Sequence, residues 1–304
     1  MRSDTRSFYE AAVERTVTAI VGALDEALDL SALAKGAALS PFHFHRVFRG
    51  MLGETPLELH RRLRLERAAH QLLQSAAPVT TVAFDAGYET HEAFTRAFRA
   101  AYGAPPSAFR QAEPLNCRPS QIELPARSGI HFNPEASRDG TIRFNEGGQI
   151  VTVDIETKRE IRVATVRHVG PYQNISEAFA RLGKLATAAG LMWTDESQML
   201  AIYYDDPETK PADQLESDAG VTVPEGLALP SGMVERRLPA GRYAKTTHVG
   251  PYTRLGDVWG RLMGEWLPKS GHRVGDGSAY EVYRNNPGNA APEDLRTDLY
   301  LPLA

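Results

Sequence analysis

Apolar and polar positions follow two different rhythms along this chain. In the first third, apolar residues recur at helical spacing, and aromatic pairs stand four apart at Phe44/Phe48 and Phe94/Phe98. That spacing puts both rings of a pair on one buried helix face. Ser40 and Thr90 stand just ahead of these segments as N-cap residues. A short apolar stretch precedes each, over 30–36 and 82–88, and each runs into a turn. Both units therefore read as helix, tight turn, helix, the arrangement that places a second helix in a DNA major groove. Between them, 61–74 carries Leu63, Leu65, Ala68, Ala69, Leu72 and Leu73, which predicts one long connecting helix. Two recognition helices fixed about 34 Å apart would enter successive major grooves on one face of a duplex.

In the back half the rhythm shifts toward alternation. Residues 150–169 read as extended, with Val151, Val153, Ile155, Val163 and Val166. Gly170-Pro171 makes a turn, and 173–189 predicts a helix with Ile175, Phe179, Leu182 and Leu185 on one face. Strands are expected at 198–204 and 218–223. The same series returns as 233–249, 254–267, 278–284 and 297–301. Between the two halves, 113–148 is punctuated by Pro114, Pro119, Pro125, Pro134, Gly129, Gly140, Gly147 and Gly148, and reads as a linker with a short strand at 121–124. The expected architecture has two domains. An all-α double helix-turn-helix domain at 1–112 precedes an α+β domain at 149–304, built from two strand-helix-strand-strand repeats with an antiparallel sheet.

Two internal repeats of different period support this division. A shift of 50 residues matches Phe44 with Phe94, Arg46 with Arg96, Phe48 with Phe98 and Arg49 with Arg99, then Gly53 with Gly103 and Pro56 with Pro106. A shift of 80 residues matches the run from His168 to Tyr172 with the run from His248 to Tyr252. It also pairs Arg181-Leu182 with Arg261-Leu262, Tyr203 with Tyr283, Pro207 with Pro287, and Asp218 with Asp298. So many matches in one register indicate duplication.

Net charge is −4, which alone argues against nucleic acid, but the charge divides unevenly. Residues 1–112 hold 13 Lys/Arg against 12 Asp/Glu. Their cations gather at Arg46, Arg49, Arg61, Arg62, Arg64 and Arg67, and again at Arg96, Arg99 and Arg110; a local patch matters more to DNA than the total. A solvated helix face would explain such a run equally well without the repeated helix-turn-helix pattern. No stretch approaches the roughly 18 apolar residues of a membrane span, and Cys117 is the single cysteine, so a reducing cytoplasmic setting and no membrane partner are expected. His43 and His45 lie two apart, and on a helix such residues do not face each other, so no metal is expected there. No cofactor motif is present, and no catalytic Ser/His/Asp constellation.

The run from Ala83 to Thr90, followed by Phe94, Arg96, Phe98, Arg99, Gly103 and Pro106, resembles the AraC/XylS regulators over about residues 8–112. The resemblance implies double-stranded promoter DNA as a partner. It assigns base reading to exposed early positions of the two recognition helices, here Phe42, His45 and Arg46 and then His91, Glu92, Thr95 and Arg96, with Arg49 and Arg99 beside them.

In the back half, Glu281 breaks the 80-residue symmetry, because its twin is Ala201. A carboxylate among tyrosines on a strand suits a cationic or hydrogen-bonding ligand, with rings supplying cation–π contact; the plain alternative is a solvent-facing glutamate. The segment His248-Val249-Gly250-Pro251-Tyr252, the run from Tyr280 to Pro287 and the run from Asp298 to Pro302 are similar to GyrI-like effector-binding domains. That resemblance implies a small-molecule effector held by Glu281. With it come Tyr172, Tyr252, Trp259 and Tyr283 as candidate aromatic walls, although most such rings are ordinary core. The order of parts resembles that of Rob-type regulators, and RNA polymerase is a further partner to consider if the back half binds a protein. The expectation is a regulator and no enzyme. Two alternatives stay open: a small-molecule hydrolase with Glu281 as general base, or a back half that binds another protein.

Overall fold

The computed structural model describes residues 2–111, 122–134, 142–144, 151–191, 197–205 and 210–304. Cys117, Gln121, Trp193 and Pro207 lie outside the described residues, as does most of the expected linker. The chain divides into two compact units, one of Glu10–Ala38 and Phe48–Glu146, the other of Met1–Tyr9, Leu39–Val47 and Gly147–Ala304.

The helices of the front half are α1 (Arg2–Gly22), α2 (Leu30–Gly36), α3 (Pro41–Leu52), α4 (Pro56–Gln74), α5 (Val79–Asp85), α6 (His91–Tyr102) and α7 (Pro106–Gln111). The connecting helix α4 starts five residues before the apolar pattern suggested. Its start is set by a capping box: Thr55 Oγ1 accepts from the Glu58 N–H at 3.1 Å, and Glu58 returns a bond to the Thr55 N–H at 2.8 Å. Helix α5 ends at Asp85, because 86–88 form the turn. Gly87 there has φ +76°, the left-handed conformation that glycine adopts without strain. Thr90 caps α6 by accepting from the Ala93 N–H, and Gly103 ends it at φ +74°. Phe94 and Phe98 are fully buried with Leu65, Leu72, Val82 and Ile122.

Two expectations need correction here. The residues after Gln121 form no strand: Ile122 enters the helical core, and the Leu124 N–H donates to Glu66 at 2.9 Å. The arginine patch is thinner than its sequence run. Arg62 is buried between Glu54 and Glu66, Arg67 pairs with Asp25 and donates to the Asp85 carbonyl, and Arg110 donates to the Leu72 and Ala77 carbonyls. The exposed guanidinium groups are those of Arg49, Arg61, Arg96 and Arg99.

Glu66 is 1% exposed and holds a strap of chain in place. Besides Arg62 and Leu124 it accepts from the Phe132 N–H at 2.8 Å, and His131 Nδ1 lies at 3.1 Å. Arg62 also donates to the Ile130 carbonyl.

The back half contains β1 (Asp154–Lys158), β2 (Ile161–Val169), α8 (Ser176–Ala188), β3 (Met199–Tyr203), β4 (Glu216–Thr222), β5 (Val234–Leu238), β6 (Gly241–Val249), α9 (Leu255–Arg261), α10 (Leu267–Ser270), β7 (Tyr280–Tyr283) and β8 (Arg296–Leu303). Each stretch expected to be one long strand, 150–169 and 233–249, is broken into two. The strands form one antiparallel sheet ordered β1-β6-β8-β7-β3-β4-β2-β5. Under the 80-residue shift β1 is the twin of β5 and β2 of β6, yet β1 pairs with β6 and β5 with β2. The repeats thus exchange their first strands, which is why those stretches break.

The two halves of the sheet meet at β3 and β7, where Ala201 stands directly opposite Glu281. Residues one repeat apart face each other there, so the approximate two-fold axis passes through this pair. One sheet face carries Val163, Leu200, Ile202, Tyr243, Tyr280, Val282 and Tyr300. Helix α8 covers part of the other, setting Ala178 and Leu182 against Ala164, Val166, Ala219 and Val221. No helix among the described residues is long and apolar enough to cross a membrane.

Candidate functional site

The two recognition helices present their early residues differently. In α6, Glu92, Arg96 and Arg99 are exposed, while His91 and Thr95 are half-buried. In α3, Arg49 is exposed and Arg46 half-buried, but Phe42 is 5% and His45 2% exposed. The expectation that Phe42 and His45 project freely is therefore corrected. Ser40 caps this helix as expected, its Oγ bonded to the His43 N–H and lying 2.8 Å from His43 Nδ1. Burial, reinforced by Arg46, pushes the His43 pKa down to about 3.

Along β7 the side chains alternate, so Tyr280 and Val282 enter one core and Glu281 and Tyr283 turn to the opposite face. Glu281 is 3% exposed. Trp259, from α9, donates its Nε1–H to Glu281 Oε1 at 2.7 Å, and the Tyr283 hydroxyl donates to Oε2 at 2.9 Å. Tyr203, the repeat twin of Tyr283, lies hydroxyl to hydroxyl with it at 2.9 Å. Burial raises the Glu281 pKa above its ordinary value, opposed by the Trp259 and Tyr283 hydrogen bonds and by the Arg46 charge. Burial also holds both tyrosines well above the usual phenol range, and the nearby carboxyl adds to this.

The rings around Glu281 come from both repeats. Tyr172 packs on Tyr203 at 4.7 Å between centroids, Tyr252 on Tyr283 at 5.3 Å, and Phe179 of α8 on Tyr283 at 5.6 Å. All five residues expected at an effector site are thus brought together. Tyr203 and Phe179 complete the group, and the signal for Tyr203 was its position one repeat before Tyr283. Tyr172 and Tyr252 also have structural work: their hydroxyls donate to the Asp205 and Asn285 carbonyls at twin positions, at 2.6 and 3.4 Å.

The repeated His-Val-Gly-Pro-Tyr run serves the fold. His168 and His248 Nε2 lie 3.1 and 3.2 Å from the Pro171 and Pro251 carbonyls. Gly170 and Gly250 adopt φ +134° and +135°. Asp218 and Asp298 are likewise buried ion-pair anchors, with Arg236 Nε at 3.0 Å and Arg284 Nε at 2.7 Å. Among the described residues no cluster of His, Cys, Asp or Glu could hold a metal ion.

Residues 152–304 match the GyrI-like small molecule binding domain, and residues 33–112 match a helix-turn-helix domain family. A DNA gyrase inhibitor of Yersinia enterocolitica is 33% identical over 139 residues, covering 42% of this chain and 83% of that protein. The uncharacterized HTH-type transcriptional regulator YbfP of Bacillus subtilis is 35% identical over 103 residues, covering 34% of this chain and 35% of that one. Among solved structures, the EcmrR C-terminal domain matches with TM-score 0.46 and 18% identity, over 51% of this chain and 99% of that domain.

Proposed function

Since the chain belongs to the GyrI-like small molecule binding domain family and carries an AraC-type helix-turn-helix segment, we propose that it is a sequence-specific transcriptional regulator whose back half binds a small hydrophobic or cationic effector at Glu281. The observation that carries the effector reading is a buried carboxyl at the repeat axis, bonded to Trp259 and Tyr283, with Tyr203 on the Tyr283 hydroxyl and Tyr172, Tyr252 and Phe179 packed on those two tyrosines. A buried carboxylate costs free energy unless compensated, and its rings would receive an organic cation by cation–π contact while the carboxylate neutralises it. Both Glu281 oxygens accept bonds from protein donors, which favours a binding group over a general base.

In the front half, His91, Glu92, Thr95 and Arg96 of α6 would read bases, with Arg49 and Arg99 against phosphates. Phe42, His45 and Arg46 are the corresponding residues of α3. Isothermal titration with organic cations tests the effector reading: binding to the full chain, lost in Glu281→Gln, is expected. No binding by a panel of cations and neutral aromatics would refute it. For DNA, selection of binding sequences followed by electrophoretic shift should show Arg96→Ala weakening the selected site by roughly 10- to 100-fold, about 1–3 kcal/mol. An unchanged affinity would remove Arg96 from the interface.

A further inference from the structure

The 50-residue repeat supplies an internal control for the first recognition helix. Phe42 and Arg46 correspond to Glu92 and Arg96, and both of those are exposed on α6. In α3 the first position has become a phenylalanine, and it is covered.

The cover lies within the compact unit that contains both Leu39–Val47 and Gly147–Ala304. The Phe42 ring meets Trp259 edge-on, with centroids 6.1 Å apart and planes at 77°. The Arg46 guanidinium lies 4.0 Å from the Phe42 ring centroid and 5.9 Å from that of Trp259. Trp259 is the indole that donates to Glu281, and Arg46 is close enough to favour the ionised carboxyl. An aromatic ring carrying a delocalised cation against it, set on Trp259 beside a buried carboxylate, has the chemistry of a lipophilic organic cation.

We propose that Phe42 and Arg46 act as an internal ligand of the Trp259–Glu281 site, so that a lipophilic organic cation and these two residues compete for it. The inference rests on the reading of Glu281 as an effector site. The structure offers the site an aromatic ring paired with a cation, the two features of a lipophilic organic cation, so a free effector of that class competes with it. Phe42 and Arg46 cannot contact Trp259 and a DNA groove together, so an effector that displaces them makes the first recognition helix available. A ligand shifts such an equilibrium only by its preference for one state, and direct competition supplies that preference.

Tetraphenylphosphonium is a suitable probe. It is titrated calorimetrically into the full chain as wild type, Phe42→Ala, Arg46→Gln and Glu281→Gln. Removing either half of the internal ligand should tighten binding at least tenfold, while Glu281→Gln abolishes it. Saturating probe should also speed tryptic cleavage after Arg46 in the wild type. Equal or weaker binding by Phe42→Ala and Arg46→Gln would overturn the competition and leave the effector site standing; absence of binding in all four proteins would overturn both. Should Phe42→Ala fail to fold, Arg46→Gln decides, since its side chain is only half-buried.

Discussion

Glu281 and His43 are buried titratable groups whose pKa values move in opposite senses on folding, for one cause. Burial disfavours the charged form of each, raising the carboxyl and lowering the imidazole. The folded chain holds the Glu281 proton more tightly than the unfolded chain does. Stability from this group is therefore complete below about pH 4.5, its ordinary value, and is lost as pH rises through the folded value. Glu281→Gln should match the wild type in acid and gain on it as pH rises above about 4.5, levelling off once the folded-state value is passed, in urea unfolding; a gap independent of pH would contradict the raised value. His43 behaves the other way. Its neutral form is favoured in the fold, so its contribution is complete above pH 6.5 and lost as pH falls toward 3, at up to about 1.4 kcal/mol per pH unit. His43→Gln should flatten that acid limb. Of this chemistry the sequence exposed Glu281, because duplication made Ala201 the expected residue there. It did not expose the burial of Phe42 and His45: helical periodicity identifies a face and not what covers it, and the ring that meets Phe42 is that of Trp259, more than 200 positions away.

At the level of elements, starts and stops were legible where a side chain closes them and obscure where a partner does. Thr90 and Gly103 bound α6 as their chemistry requires, whereas α4 begins at a capping box that lies outside the apolar stripe. The strap over α4 was the least legible element, since 122–132 has neither period. Its order comes from Glu66, which accepts the Leu124 and Phe132 N–H groups as well as Arg62. Glu66→Ala would leave two backbone donors unpaired and Arg62 with only Glu54 as an ionic partner. A loss of about 3–5 kcal/mol is expected, read by chemical denaturation, together with faster proteolysis within 122–132. Glu66→Gln keeps acceptor geometry at one oxygen and should lose less. Equal effects of the two substitutions would show that the charge, and not the hydrogen bonding, holds the strap.

For the whole molecule, the 80-residue duplication forecast two equivalent sets of strands in an antiparallel sheet, and the single sheet has them, but the exchange of first strands left no trace in the sequence. Hydrophobic alternation reports which face a strand buries and is silent about which neighbour it pairs with. The exchange has a thermodynamic consequence. A first repeat expressed alone, as 149–229, would keep β1 without β6 and β2 without β5, exposing unpaired strand edges. It would also present Ala201 at an axis with no β7 across it. Such a fragment can restore its edges only by pairing with a second copy, whose β1 would take the β5 position. Alone and dilute, neither 149–229 nor 230–304 should show a cooperative thermal transition, whereas the two co-expressed should assemble one-to-one and unfold cooperatively. Analytical ultracentrifugation and calorimetry would decide the matter. A monomeric, cooperatively unfolding 149–229 would mean that each repeat completes its own sheet, and that the exchanged strands are a later ornament and not the join that holds the halves together around Glu281.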